Sequence, residues 1–204
     1  MNITPLVAVL ALAGCAHGPG PAELAVLGDA LDLRPGATIA DLGAGDGQIA
    51  VALARRVGAG GAVVASELGA AQRKAIAERA RGEGLGNVTV VEASQAQTGL
   101  ADGCCDAILM RGVYHHLTQP EATLAGIVAA LKPGGRLVVV DFAPSVLLAP
   151  WPSAENRGGH GVRRDEVVSE ARRAGLRHVS TVDRYPGMWP LGPYAVVFRK
   201  EAQP

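Results

Sequence analysis

From Thr38 onward the chain alternates short, wholly apolar runs with stretches of helical spacing, and few architectures accept that rhythm. Thr38 to Leu42, Ala62 to Ser66, Val88 to Val91, Ala107 to Met110 and Leu137 to Val140 read as strands. Between them Gln48 to Val57, Ala70 to Arg81 and Pro120 to Leu131 carry helix-compatible spacing, the last stopped by Pro133-Gly134-Gly135. Short strands that are apolar throughout, rather than at alternate positions, are buried on both faces. The expectation is a single doubly wound, Rossmann-like α/β domain with a mostly parallel sheet covered on both sides. Aromatic residues are 3% of the chain, so Ala, Val and Leu must build the core. At 204 residues there is room for one such core and not for two.

The two ends break the rhythm. Ala22 to Leu33 reads as an amphipathic helix closed by Arg34-Pro35-Gly36, and Arg163 to Ala174 as a helix stopped by Gly175. Val179 to Val182 and Ala195 to Phe198 are strands with no helix between them, which predicts an antiparallel pair at the sheet edge. The stretch from Phe142 to Val162, with Trp151, is a long Pro-, Gly- and Ser-rich connection of the kind that serves as a lid or is disordered. At the start, Leu6 to Ala13 is apolar and too short to span a membrane, and Leu12-Ala13-Gly14-Cys15 resembles a bacterial lipoprotein cleavage box. Met1 to Pro5 lacks the Lys or Arg of an export signal, so a plain apolar helix accounts for the same residues. Two locations stay open, a membrane tether through lipidated Cys15 and the cytoplasm. Residues 1–21 are read as this segment and a linker, and residues 22–204 as the domain.

Nineteen basic residues balance nineteen acidic ones, without the basic surplus of a nucleic-acid binder. The cysteines, Cys15, Cys104 and Cys105, lack metal-ligand spacing, and no metal site is expected. Cys104 and Cys105 read as small buried hydrophobes pointing to opposite faces of a strand. The chemistry gathers instead at Asp41-Leu42-Gly43-Ala44-Gly45-Asp46-Gly47, between the first strand and its helix. Glycines there let the backbone turn sharply and approach a ligand. Gln48 stands where a dinucleotide-binding loop wants its third glycine. Two carboxylates, Asp41 and Asp46, would repel a pyrophosphate but suit a ligand bearing an ammonium group. Glu67 ends the second strand, about 20 residues past the loop, where an acid accepts hydrogen bonds from ribose hydroxyls.

The segment Asp41 to Gly47 looks like motif I of the class I S-adenosylmethionine-dependent methyltransferases. The resemblance continues through Glu67, Asp106 and Leu131-Lys132-Pro133-Gly134-Gly135-Arg136-Leu137, and through the late helix from Arg164-Asp165-Glu166-Val167-Val168 to Ala174-Gly175-Leu176. It covers roughly Leu31 to Lys200. Val113-Tyr114-His115-His116 resembles a bacterial branch acting on small molecules, whose members often carry an export-like N-terminal segment. The resemblance implies a seven-stranded sheet with its last strand antiparallel and S-adenosyl-L-methionine as cofactor. It places that cofactor against Asp41, Gly43, Ala44, Gly45, Gly47 and Glu67. Many relatives carry an acid after the third strand for the adenine amino group; here Ser94 stands there, and the Gln95 amide is a second candidate.

A methyl group on a sulfonium is primed to leave, so alignment and desolvation supply most of the catalysis. A base is needed only for a protonated acceptor, and Tyr114, His115, His116 and His160 are the candidates. Packing or capping of the next helix is the alternative role for the two adjacent histidines, and an exposed loop position for His160. Arg111 is a candidate for orienting an acidic substrate or the cofactor carboxylate, against a solvent-facing role. The reading is methyl transfer to a small-molecule acceptor, oxygen or carbon. Its rivals are an NAD-dependent oxidoreductase on the same sheet and a non-catalytic, membrane-tethered nucleoside-binding protein.

Overall fold

The computed structural model describes residues 18–144, 161–187 and 192–202. Cys15, Trp151 and His160 lie outside the described residues, as does most of the long connection after Phe142. Twelve elements follow in chain order: α1 (Pro21–Leu31), β1 (Thr38–Leu42), α2 (Gln48–Val57), β2 (Ala62–Glu67), α3 (Ala70–Gly82), β3 (Val88–Glu92), β4 (Cys105–Arg111), α4 (Pro120–Ala130), β5 (Leu131–Phe142), α5 (Arg164–Arg173), β6 (Leu176–Val182) and β7 (Pro193–Lys200). A single 3-10 turn, Tyr114–His116, lies between β4 and α4. The strands form one sheet in the order β3-β2-β1-β4-β5-β7-β6. β1 to β5 pair in parallel, while β7 runs antiparallel to both β5 and β6. The expected seven-stranded, doubly wound sheet with its last strand reversed is the one observed.

Alternation along the strands divides the interior into two layers. Ile39, Ala107, Leu109, Val138 and Val140 face one side and pack with Leu27 and Leu31 of α1 and Leu53 of α2. Ala40, Ile108, Met110, Val139 and Phe198 face the other and pack with Leu124 and Ile127 of α4 and Val167 of α5. This is why the central strands β1, β4 and β5 carry unbroken apolar runs: neither face of the sheet meets water there. Each fully buried Leu or Ile contributes about 1.5–3 kcal/mol relative to exposure.

Polar ties close the ends of the elements. At the N-terminal end of the sheet Asp106 accepts hydrogen bonds from the Thr38 amide and from Lys132 Nζ, both at 2.8 Å. Asn87 Nδ2 donates to the carbonyls of Ala54 and Gly58 at 3.0 Å, satisfying the end of α2. Three sequence expectations need correction. The sulfurs of Cys104 and Cys105 are joined in a disulfide, because Cys104 precedes the first residue of β4 and strand alternation does not govern it. β5 begins at Leu131, before the Pro-Gly-Gly turn, through a pairing with Cys105 that a register shift separates from the rest of the ladder. β6 starts at Leu176 and admits Arg177 because it is an edge strand.

One buried ion pair pins α1 to the C-terminal end of β4. Arg111 Nε and Nη2 donate to the Glu23 carboxylate at 2.6 and 3.3 Å, and Tyr185 Oη donates to Glu23 Oε1 at 3.0 Å. Glu23 is 4% exposed. Removing one partner strands a buried charge, which costs about 3–5 kcal/mol. Glu23→Ala and Arg111→Ala should each lower stability by about that much in urea titrations. The double variant should fall short of their sum, and a coupling below about 0.5 kcal/mol would contradict this account of the pair.

Candidate active site

The loop after β1 is knitted to the end of β2. The amides of Gly43 and Ala44 donate to the Ser66 carbonyl at 2.8 and 3.2 Å, and the Gly45 amide donates to Glu67 Oε2 at 2.9 Å. Glu67 Oε1 accepts the Leu68 amide at 2.8 Å. Each carboxylate oxygen has a second lone pair, so Glu67 can brace the loop and still accept hydroxyls from a ligand. Gly43 (φ +70°) requires its missing side chain twice over: a Cβ there would sit 2.4 Å from Val113 Cγ2. Gly45 (φ +57°) faces open space, with nothing within 4 Å of an ideal Cβ. A ligand can therefore come down onto the backbone at Gly45.

Asp41 sits beneath this loop, 2% exposed, and its Oδ2 is the one buried side-chain polar atom among the described residues that lacks a hydrogen-bond partner. Burial pushes its carboxyl up to about 7; Arg111 opposes that shift and Glu67 adds to it. An ionised carboxylate with an unmet oxygen in a buried cleft is costly by itself and favourable beside a cationic donor. The donor set thus fits the cofactor that the sequence motif implies, an amino acid joined to a nucleoside and carrying an ammonium group.

Asp46 does not share this task. Its carboxylate is bound by Gln48 Nε2 at 2.5 Å and by Arg79 Nη2 at 3.1 Å, on the outside of the loop. Two carboxylates facing the ligand were expected from the sequence; one, Asp41, is turned inward. The topology supplies a different discriminator against a dinucleotide. Dinucleotide-binding sheets run 3-2-1-4-5-6 with all strands parallel, whereas here β7 enters antiparallel between β5 and β6.

Beside the loop a pocket is lined by Gly43, Ser94, Gln95, Thr98, Val113 and His116. Ser94 Oγ accepts the Ala96 and Gln97 amides, and Gln95 Oε1 accepts from Thr118, so both side chains shape a turn at its rim. Of the three neighbours after β4, His116 alone lines this pocket. Tyr114 is fully buried and donates to Glu170 Oε2 of α5 at 2.7 Å. His115 is 5% exposed, with Nδ1 2.8 Å from Asp141 Oδ1. Arg111 reaches the cleft beside Asp41 but spends its hydrogen bonds on Glu23.

Glu23, Asp141 and Tyr185 escaped the sequence reading. Asp141 had a legible signal, an acid ending a buried strand, which is the same signal that singled out Asp41. Glu23 and Tyr185 had none, since their meeting joins residues 162 positions apart.

Residues 40–139 match the family model described as a methyltransferase domain. The ubiquinone/menaquinone biosynthesis C-methyltransferase UbiE of Erwinia tasmaniensis is 33% identical over 116 residues, which are 56% of this chain and 46% of that protein. The chain therefore spans about half the length of this curated relative. Among solved structures, a SAM-dependent methyltransferase from Aquifex aeolicus superposes with a TM-score of 0.73 at 23% identity, covering 89% of this chain and 94% of that one. Geranyl diphosphate C-methyltransferase from Streptomyces coelicolor, in complex with Mg2+, geranyl diphosphate and S-adenosyl-L-homocysteine, gives 0.71 at 19% identity over 88% and 80%. These two share the fold.

The Asp41 carboxyl yields a stability test. Its folded value of about 7 stands above the ordinary 3.8, so the native state keeps a proton that the unfolded chain releases. That contribution is fully present below pH 3.8 and is lost as pH rises through 7, a swing of about 4 kcal/mol. Asp41→Asn removes the titration. It should stabilise the ligand-free protein at pH 8, by up to about 4 kcal/mol, relative to its effect at pH 4. Urea midpoints showing the same difference at both pH values would contradict this.

Proposed function

We infer that this chain is a class I S-adenosylmethionine-dependent methyltransferase and transfers the cofactor's methyl group to a small-molecule acceptor. The observation that carries the reading is the unmet, buried oxygen of Asp41 beneath the glycine loop. In this reading Asp41 holds the cofactor's ammonium group, directly or through one water, and Glu67 takes the ribose hydroxyls on its spare lone pairs. The backbone of Gly43, Ala44, Gly45 and Gly47 forms the floor. The pocket by Ser94, Gln95 and His116 takes the base, with the Gln95 amide available to the ring. Arg111, held by Glu23, offsets the negative charge of Asp41 and keeps α1 closed over the site.

When bound, S-adenosylmethionine supplies a methyl group on a positively charged sulfur. The protein's share is to align that group with the acceptor and to keep water away. The name of the UbiE relative, a C-methyltransferase of quinone biosynthesis, supports an acceptor carbon activated by a neighbouring hydroxyl, as in a phenol or enol. The balanced charge of the chain supports a small acceptor rather than a nucleic acid.

Isothermal titration with S-adenosylhomocysteine tests the reading. Asp41→Ala and Glu67→Ala should each weaken binding about 10- to 100-fold, the range for hydrogen bonds to charged groups. Affinity should fall as pH drops below 7, because the ammonium group needs the ionised Asp41 and binding then releases a proton. Binding of NAD with no heat from S-adenosylhomocysteine would contradict it.

A further inference from the structure

We propose that His115 Nε2 is the proton acceptor for the methyl acceptor's hydroxyl, and that Asp141 is the residue that positions it. The proposal rests on the methyl-transfer reading and adds to it the group that removes a proton.

Asp141 ends the apolar run of β5 and is fully buried. Two of its three partners are backbone N–H groups, those of His115 and Phe142, and the third is a ring nitrogen of His115. Oδ1 lies 2.8 Å from His115 Nδ1 and accepts the Phe142 amide at 2.9 Å, while Oδ2 accepts the His115 amide at 3.1 Å. An ionised carboxylate accepts and does not donate. The Nδ1 of His115 therefore carries the hydrogen, and the neutral ring is left with its lone pair on Nε2. The ring is fixed in place by contacts with His116 (centroids 3.9 Å apart) and Phe142 (4.9 Å).

Nε2 is the remaining polar atom of the ring, and it makes no hydrogen bond to a described residue. It is also not sealed in, since Asp41 Oδ2 is the one buried side-chain atom without a partner among the described residues. An imidazole with one nitrogen anchored and the other open, at the C-terminal edge of the sheet where α/β folds bind ligands, is arranged to accept a proton. His116, against the same ring, lines the pocket beside Gly43. Tyr114, one residue earlier, has its hydroxyl on Glu170 instead. Among the described residues the titratable groups beside His115 are Asp141 from β5, His116 from its own turn and, beyond Asp141, Tyr194 from β7. Burial and the charge of Asp141 push that tyrosine's hydroxyl well above its ordinary range.

The step balances. The acceptor's O–H bond breaks and its proton passes to His115 Nε2. At oxygen the pair released forms the new bond to the methyl carbon; at the conjugated ring carbon that pair becomes the C=O π bond while a ring π pair forms the bond to methyl, and the ring C–H proton then passes to water as the oxygen regains a proton. The pair of the broken carbon–sulfur bond stays on sulfur, which loses its charge as His115 gains one. Asp141 faces the imidazolium so formed and stabilises it, the role a buried aspartate plays beneath a catalytic histidine.

The test has a spectroscopic and a kinetic arm. In 15N-histidine-labelled protein at pH 8, long-range nitrogen–proton spectra should show His115 protonated at Nδ1 and bare at Nε2. Asp141→Asn, which can turn its NH2 toward Nδ1, should shift the ring toward the Nε2–H tautomer. In the kinetic arm catechol and 4-nitrocatechol serve as probe acceptors at neutral pH. His115→Gln should cut kcat with catechol about 10²- to 10⁴-fold and leave the KM for S-adenosylmethionine unchanged. With 4-nitrocatechol, whose more acidic hydroxyl ionises without help, the loss should be under about tenfold. Added imidazole should restore catechol turnover to His115→Ala. A wild-type ring protonated at Nε2, wild-type catechol turnover by His115→Gln, or equal losses with both phenols would each overturn the proposal. The spectrum requires no cofactor, so a failure of the His115–Asp141 pair is distinguishable from a failure of methyl transfer.

Discussion

A carboxylate held out of water without a full set of partners is the constraint around which this molecule is arranged. Asp41 closes the central parallel strand, beneath a loop whose amides are already committed to Ser66 and Glu67. Its second oxygen has no hydrogen-bond partner among the described residues. The cost is limited in two ways: the group holds a proton up to about neutral pH, and the Arg111 guanidinium offsets its charge. Arg111 is itself tolerated in the interior because Glu23 and Tyr185 surround it. The site is thus a chain of dependencies running from the glycine loop to the first helix, with one carboxylate oxygen of Asp41 unmet.

Strand alternation explains why these groups meet where they do. Ile39 and Asp41 share a face of β1, and Leu109 and Arg111 share the same face of β4, which is the face covered by α1. Asp141 lies on the opposite face of the sheet, with Val139 and the layer that holds Tyr114. Two acids at two strand ends therefore address different elements. Asp41 is turned to the glycine loop and α1, and Asp141 to the turn that carries His115.

Much of this was legible in the sequence. The unbroken apolar strands implied a sheet covered on both sides, and the missing helix between the last two strands implied the reversed edge. The glycine loop and Glu67 stood out by local spacing, and the structure ties the two together through the Gly45 amide. What was hidden depends on distant parts of the chain. No local pattern brings Glu23 to Arg111, 88 residues away. Asp46 looked like a partner of Asp41 in sequence, but Arg79 of α3 draws it to the outer surface. His115 and His116 are adjacent in sequence and chemically alike, yet the 3-10 turn sends one onto Asp141 and the other to the rim of the pocket. The disulfide between Cys104 and Cys105 was hidden because both residues read as members of one strand.

The most direct test of the central claim is a crystal structure of the protein with S-adenosylhomocysteine. The ligand's amino group should lie about 2.7–2.9 Å from Asp41 Oδ2, or be bridged to it by a single water, with the ribose against Glu67. An amino group turned away from Asp41, or a nucleotide phosphate resting on the amides of Gly43 to Gly47, would contradict it.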